Sequence, residues 1–431
     1  MMYLPQAAYL PANEIQAIQQ NKLQQLVQYV AAHSPYYKEL FTTHNINAAS
    51  IKTLDDLKKI PPTNKEHLQQ RNNDFLCVPQ NKIIEYSSTS GTLGSPVTIA
   101  LTDSDLNRLA YNEYASFTCA DGTANDIFQL MLTLDRQFMA GMAYYSGIRK
   151  MGAGIIRLGP GVPSLQWETI LRLKPTAIVA VPSFIIKLIQ FAKEHNIDIN
   201  STSVKKAICI GENIRNTDFS INILGKKITD AWHIKLYSTY ASTEMQTAFT
   251  ECSASNGGHC QPELIILEVL DENDNPVTAG KPGEVTITTL GVEGMPLLRY
   301  KTGDICIQHT STCTCGRTST RLSPIVGRKK QMIKYKGTTL YPPALFDILN
   351  EMEDVLDYVA EVYSNEMGTD EVLLHILPVN LTEECDRKLR ANLQARLRVS
   401  PHVKYSTAEQ LAKMQLPEAG RKLVRFIDNR I

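Results

Sequence analysis

Short apolar runs rich in β-branched residues, at 127–132, 154–158, 177–181, 207–210 and 233–237, alternate with helix-patterned stretches, and nothing else limits the fold as much. The alternation indicates a mostly parallel sheet with crossover helices. Ligands of such sheets bind at loops beyond the carboxyl ends of strands. Three loops qualify: Val181-Pro182-Ser183, Gly211-Glu212-Asn213 and the polar run 237–245.

Upstream, Ile15, Ile18, Leu23, Leu26, Val27 and Val30 recur at helical spacing and predict a helix over 13–32, stopped by Ser34-Pro35-Tyr36-Tyr37. A short helix is expected from Thr53 to Pro61, and another over 102–117 with Thr102 or Asp103 as cap. Beyond residue 257 the pattern changes. Runs 265–270 and 283–289 are joined by the turn-rich DENDNPVTAGKPG, so this portion is expected to be antiparallel. At 431 residues the chain exceeds what one core serves, and a boundary at 327–330 gives domains 1–328 and 329–431. The second has strands near 332–335, 355–362 and 372–378 and helices at 344–352 and 382–396, a small α+β domain. The class is α/β with an antiparallel portion.

An apolar fraction of 43% and a balance of 44 basic against 44 acidic residues suit a soluble protein and speak against nucleic acid or a membrane as partner. The N-terminal segment lacks a signal-peptide pattern, and the most apolar stretch is broken by Pro182 and Lys187, so a cytoplasmic location is expected. Nine cysteines in such a chain read better as metal ligands than as disulfides.

Residues 86–99, YSSTSGTLGSPVTI, read as strand, loop, strand. Small residues let backbone N–H groups and hydroxyls converge on an anion, although most such loops are plain turns. Gly91 and Gly94 are too close for the common P-loop. Cys252 and His259, with Cys313 and Cys315, suit a tetrahedral structural zinc; Cys260 rivals His259, and reduced cysteines in turns are the bland alternative. Thr243 and Glu244 pair a hydroxyl with a carboxylate, as a Mg2+-nucleotide site needs, or form a solvated turn. Asp304 beside Gly303 offers a carboxylate to a ribose, and 417–422 is a small-residue loop carrying cations. Singly, each has an ordinary reading.

Together they come in a telling order. A hydroxyl-rich glycine loop precedes Tyr-x-x-Thr-Glu, Tyr-x-Thr-Gly-Asp, Gly-Arg before Ile-Lys-x-x-Gly, and a terminal Gly-x-Lys. The series resembles the adenylate-forming acyl-CoA synthetases, and more narrowly the phenylacetate-CoA ligase family, whose opening segments fit residues 23–68. The resemblance covers essentially the whole chain. It implies a mobile C-terminal domain, possession of a dimer interface, and a two-step reaction with ATP, Mg2+ and coenzyme A. A carboxylate, phenylacetate or a relative, attacks the α-phosphorus, and the thiol of coenzyme A then displaces AMP.

The resemblance also implies roles. Ser90, Gly91, Thr92 and Gly94 hold the triphosphate; Thr243 touches the α-phosphate; Glu244 ligates Mg2+; Asp304 grips the ribose. Gly211 and Glu212 lie beside adenine, Tyr240 near the base or the acyl pocket, and Arg328 close to the nucleotide. Lys330 is the hinge. Lys422 stabilises the first transition state, and Lys334 and Gly337 face the pantetheine tunnel. The acyl pocket draws on Phe138, Tyr145, Pro182, Tyr237 and Ala241. The cysteine and histidine positions are typical of the family, which favours zinc. Ser95 replaces the usual loop lysine, Ala241-Ser242 replaces Gly-Leu, and Arg421 is an extra residue beside Lys422. Two other readings stay open: adenylation with transfer to a carrier protein or an amine, and a zinc-containing nucleotide-binding module without activity.

Overall fold

The computed structural model describes residues 6–89, 96–336, 338–365, 369–415 and 424–430. The chain divides into two compact units, Met1–Ile221 with Gly225–Ile325, and Asn222–Leu224 with Val326–Ile431.

The first unit opens with α1 (Ala12–His33), which buries Leu23, Leu26, Val27 and Val30. Ser34 does more than end it. Its hydroxyl accepts from the Tyr37 N–H at 3.4 Å and caps α2 (Pro35–Thr43), with Pro35 where a missing N–H costs nothing. The expected stop is therefore a joint between two helices. The run from Thr53 winds as a 3₁₀ turn, Leu54–Lys59, rather than an α-helix. After α3 (Lys65–Gln70), strands β1 (Ile83–Ser88) and β2 (Thr98–Thr102) pair antiparallel on either side of the glycine loop. Next comes α4 (Asp103–Cys119), capped by Thr102.

The alternating runs form β3 (Ile127–Leu130), β4 (Gly154–Arg157), β5 (Ala177–Ala180), β6 (Lys206–Ile210) and β7 (Lys235–Ser242). All pair in parallel, in the order β4-β3-β5-β6-β7. The crossovers are α5 (Met139–Met151), α6 (Pro163–Leu173), α7 (Pro182–Glu194) and α8 (Ile223–Ala231). Trp167 and Trp232 pack between α6, α8 and the sheet, their rings 5.2 Å apart. β7 extends further than its sequence suggests. It is held out to Ser242 by antiparallel pairing with β8 (Thr247–Glu251), so Tyr240 and Ala241 are strand residues, not loop. The sheet continues antiparallel through β9 (Gly258–His259), β13 (Arg321–Leu322), β12 (Tyr300–His309), β11 (Pro282–Thr289) and β10 (Ile265–Leu270). Parallel and antiparallel portions thus share one sheet.

The second unit holds β14 (Gly327–Arg328), the hairpin β15 (Ile333–Tyr335) and β16 (Thr338–Leu340), and helices α9 (Pro342–Glu351), α10 (Glu383–Leu397) and α11 (Ala408–Gln415). Its main sheet pairs β17 (Val355–Ser364) with β18 (Asp370–Pro378), flanked by β19 (His402–Tyr405) and β20 (Phe426–Asp428). These two short flanking strands lack a period long enough to read from sequence. Its core is its own, built around Ile333, Leu345, Tyr358, Leu374 and Leu389. Among the described residues no helix is long and apolar enough to cross a membrane.

Candidate functional site

β5 and β6 end side by side, and the loops that follow carry two of the sequence candidates. Gly211 has φ +77°, and among the described residues nothing lies within 4 Å of where a Cβ would stand, so the backbone here is open to a ligand. The Glu212 side chain is itself engaged within the protein. Its Oε2 accepts from the Ser183 N–H at 2.8 Å, placing the carboxylate at the N-terminus of α7, which Pro182 opens. Its side chain therefore braces the two loops against each other.

The β7–β8 connection, residues 243–246, carries Thr243 and Glu244. Ser242 Oγ accepts from the Met245 N–H at 3.3 Å, and Gln246 closes the turn with φ +50°. Glu244 is buried, and the Tyr300 hydroxyl donates to its Oε1 at 3.4 Å. Opposite, β12 bulges between Lys301 and Ile305 where it pairs with β11. A bulge re-aims a side chain. Here it presents Asp304, beside Gly303 at φ +79°. The Tyr240 hydroxyl donates to Asp304 Oδ2 at 2.8 Å, while one face of its ring lies on Phe249. Burial, and then the neighbouring carboxylates, push both the Tyr240 and Tyr300 phenols well above their ordinary range, so both remain donors.

Behind this turn stands a polar stripe that sequence reasoning missed. Asp105, Arg108 and Asn112 occupy the buried face of α4. Asp105 accepts from the backbone N–H groups of Glu293 and Gly294 at 2.7 and 2.9 Å, and Asn112 Oδ1 accepts from Ala248 N–H at 3.2 Å. Arg108 donates to the Gln246 carbonyl at 2.6 Å. The sequence signal is a polar stripe at three- and four-residue spacing, which a solvated helix face explains equally well.

The expected acyl-pocket residues separate. Phe138, Tyr145 and Tyr237 share one apolar cluster with Val181. Tyr237, however, is buried near the start of β7 with its hydroxyl on Asp121 Oδ2 at 2.7 Å, which makes it a core residue rather than a lining of the carboxyl-end loops. Tyr145 lies under the Arg157 guanidinium, 5.4 Å from ring centre. Ala241 is exposed at the end of β7. Arg136 and Gln137 both have left-handed φ, 56° and 58°, and the Gln137 carbonyl accepts from Ser88 N–H at 2.9 Å, tying the segment before α5 to the strand that leads into the glycine loop. Ser90, Gly91, Thr92 and Gly94 lie outside the described residues, as do Gly337, Arg421 and Lys422.

The donor atoms of Cys252, His259, Cys313 and Cys315 all lie within 4.8 Å of one another. Cys252 follows β8, His259 is on β9, and the other two occupy the β12–β13 turn. Cys260, one residue on, faces the opposite way into the main core. Sγ of Cys252 and Cys313 are 3.7 Å apart, and Cys315 Sγ is 3.5 Å from His259 Nε2. The other ring nitrogen, Nδ1, lies 3.4 Å from Ser319 Oγ. Burial, with Arg317 and Arg321 nearby, drives the His259 imidazole down to about 3, so it is neutral at physiological pH. Burial opposes ionisation of Cys315, but hydrogen bonds from Arg317 outweigh it and hold that thiol below its ordinary range.

In the second unit Arg328, Lys330 and Lys334 are exposed. Arg430, another residue that pattern reading did not single out, donates to the carbonyls of Lys330 and Met332 at 2.8 and 2.7 Å and to Asp370, which also accepts from Lys334 N–H at 2.7 Å. The Val424 N–H donates to the Gln415 carbonyl at 2.9 Å.

A parallel sheet with an open glycine loop at its carboxyl end, a Thr-Glu turn and a bulged aspartate is the residue set of a nucleotide-binding enzyme class. Residues 11–294 match the AMP-binding enzyme family, and the chain belongs to it. It is 27% identical over 381 residues to the phenylacetate-coenzyme A ligase of Thermus thermophilus, covering 87% of this chain and 84% of that one. With the enzyme of the same description from Escherichia coli it shares 24% over 431 residues, covering 97% and 95%. Its fold is similar to that of a 2-hydroxyisobutyryl-CoA ligase in the postadenylation state, with a TM-score of 0.85 at 23% identity over 99% of this chain and 92% of that one. A benzoate CoA ligase from Burkholderia xenovorans gives 0.59 at 16% identity, over 80% and 68%.

Proposed function

We propose that this protein joins a carboxylic acid, an aryl acid such as phenylacetate or a relative, to coenzyme A through an acyl-adenylate, consuming ATP and releasing AMP and pyrophosphate. The observation that carries the reading is the meeting of Tyr240 with Asp304, and of Tyr300 with Glu244, at the head of the β7–β8 hairpin. Relatives along nearly the whole length are phenylacetate-CoA ligases.

In this reading Asp304 accepts the ribose hydroxyls, oriented by Tyr240, and Gly211 offers open backbone to the base. Thr243 bonds the α-phosphate. Glu244 fits Mg2+, which takes few protein ligands and, when bound, neutralises phosphate charge. Ser90, Gly91, Thr92 and Gly94 hold the leaving phosphates, Arg328 lies near the nucleotide, and Lys422 stabilises charge on the α-phosphoryl oxygens. Residues 329–431 then move about Lys330, bringing Lys334 and Gly337 to coenzyme A.

The cysteine cluster fits zinc on its own geometry. A tetrahedron with Zn–S near 2.3 Å has an edge of about 3.8 Å, against the 3.7 Å between Cys252 and Cys313. Four protein ligands leave no position for water, so its task is structural.

A panel of aryl and alkyl acids, assayed for coenzyme A thioester, tests the reading. Thioester formation is expected with an aryl acid; AMP release that depends on no acid would refute it.

A further inference from the structure

α4 carries a cation where a core helix ordinarily carries a leucine. Arg108 is wholly buried, and its guanidinium reaches three separate segments. Nε donates to the Leu290 carbonyl at 2.7 Å, Nη1 to the Gln246 carbonyl at 2.6 Å, and Nη2 to the Leu264 carbonyl at 2.6 Å and to Thr247 Oγ1 at 3.1 Å. These four acceptors are neutral, and the Glu263 carboxylate is near enough for the guanidinium's charge to act on it. Taking a guanidinium out of water is costly, and an apolar residue of similar volume would pack α4 against the sheet without that cost. An apolar residue would not, however, fix several carbonyls at once. The rigid fork of an arginine does so with one side chain.

One of these bonds ends on the turn that bears the Thr-Glu pair, at Gln246, and another on Thr247, the first residue of β8. Gln246 is its left-handed residue, at φ +50°, a conformation that a residue with a Cβ adopts only when its surroundings impose it. Arg108 bonds that residue's carbonyl and the next side chain. One turn further along α4, Asn112 holds the Ala248 N–H, so the start of β8 is gripped at three consecutive residues.

We propose that Arg108 is a positioning residue for adenylation, holding the 243–246 turn so that Thr243 and Glu244 meet the α-phosphate and its metal. This rests on the roles given to Thr243 and Glu244 above.

The test uses full-length Arg108→Met and Arg108→Lys, the second keeping charge without the fork. Acid-dependent pyrophosphate exchange should fall about 10²-fold in Arg108→Met and about 10-fold in Arg108→Lys, since small misplacements of reacting groups cost on that order. Half-saturation by Mg2+ should rise about 5-fold or more, and thioester formation from preformed acyl-adenylate should stay within about 3-fold. Without any turnover, the increase in Tm that Mg2+ with ATP gives the wild type should shrink in both variants, while the increase from ATP alone persists. Thr247→Val, which removes a single acceptor, should show the same pattern more weakly and serves if Arg108→Met does not fold. Equal losses in both half-reactions with Mg2+ half-saturation unmoved would overturn the proposal. A wild type that binds Mg2+ and ATP but shows no acid-dependent exchange refutes the functional reading instead, and the thermal-shift comparison still decides the role of Arg108.

Discussion

At the start of β8, behind the turn bearing Thr243 and Glu244, Arg108 donates to the Gln246 carbonyl and to Thr247 Oγ1 and Asn112 Oδ1 accepts from the Ala248 N–H, while Gln246 Oε1 is left unpaired among the described residues. Just past the other end of the same strand, five residues after Thr247, Cys252 begins a cluster made of three thiols and a neutral imidazole. Such groups have electron pairs to offer and few protons to share. A matched hydrogen-bond network is rigid without a ligand, whereas a cluster of soft donors becomes cohesive when a cation joins it. Glu251, the last residue of the strand, is tied to Arg215 at 2.8 Å and to the Ser238 N–H at 3.0 Å, so the strand has an anchor of its own beside the cluster. On the proposed roles, the contrast is between a preorganised reacting site and a metal-dependent support.

Glu244→Gln should break the first end hardest. It keeps the shape and the Tyr300 hydrogen bond but removes the charge, and acid-dependent pyrophosphate exchange is expected to fall by about 10²–10³-fold. Its Tm should barely move; a large drop would show that Glu244 supports the fold instead. At the second end, Cys313→Ser should lower zinc content, measured by elemental analysis, from one ion per chain towards none and Tm by about 5–10 °C. Exchange by the folded fraction should remain within about 3-fold of wild type. Loss of exchange with Tm preserved would abolish the contrast.

Tyr240→Phe probes a single bond within the first site. Losing one hydrogen bond to Asp304 is worth about 1 kcal/mol, so KM for ATP should rise about 5-fold with kcat nearly unchanged. A fall in kcat alone would place Tyr240 at the acyl group rather than the nucleotide. The smallest effect concerns Glu113, on α4 next to Asn112. Burial pushes its carboxyl up to about 8, against a weaker pull from the Asn112 side chain. The folded state then holds a proton that the unfolded state gives up near its ordinary value of 4.5. Stability from this group is therefore full at low pH and declines as pH rises towards about 8. Glu113→Gln should flatten that decline and raise Tm by about 5 °C at pH 8.5, with no gain at pH 4.

Much of this was legible in the residues because it is periodic or local. The alternation between 127 and 237 gives the parallel strands, and the ordered motifs mark Thr243, Glu244 and Asp304. Cys252, His259, Cys313 and Cys315 could be grouped by chemistry, but only the fold separates His259 from Cys260, since neighbouring residues of a strand face opposite ways. Glu212 and Tyr237 show the reverse limit. Their types suit a ligand site, yet the partner that takes each one, the N-terminus of α7 and Asp121, lies 29 and 116 residues away in sequence.

What the sequence by itself determined is therefore the order of strands and helices and the chemical groups available, because both rest on patterns within a few residues. The tertiary structure alone decided that a bulge in β12 aims Asp304 at Tyr240, that four distant donors converge, and that a buried arginine grips the Thr-Glu turn. Those facts depend on pairings between strands and on close packing across 138 residues of separation, as between Arg108 and Gln246, which no local spacing encodes.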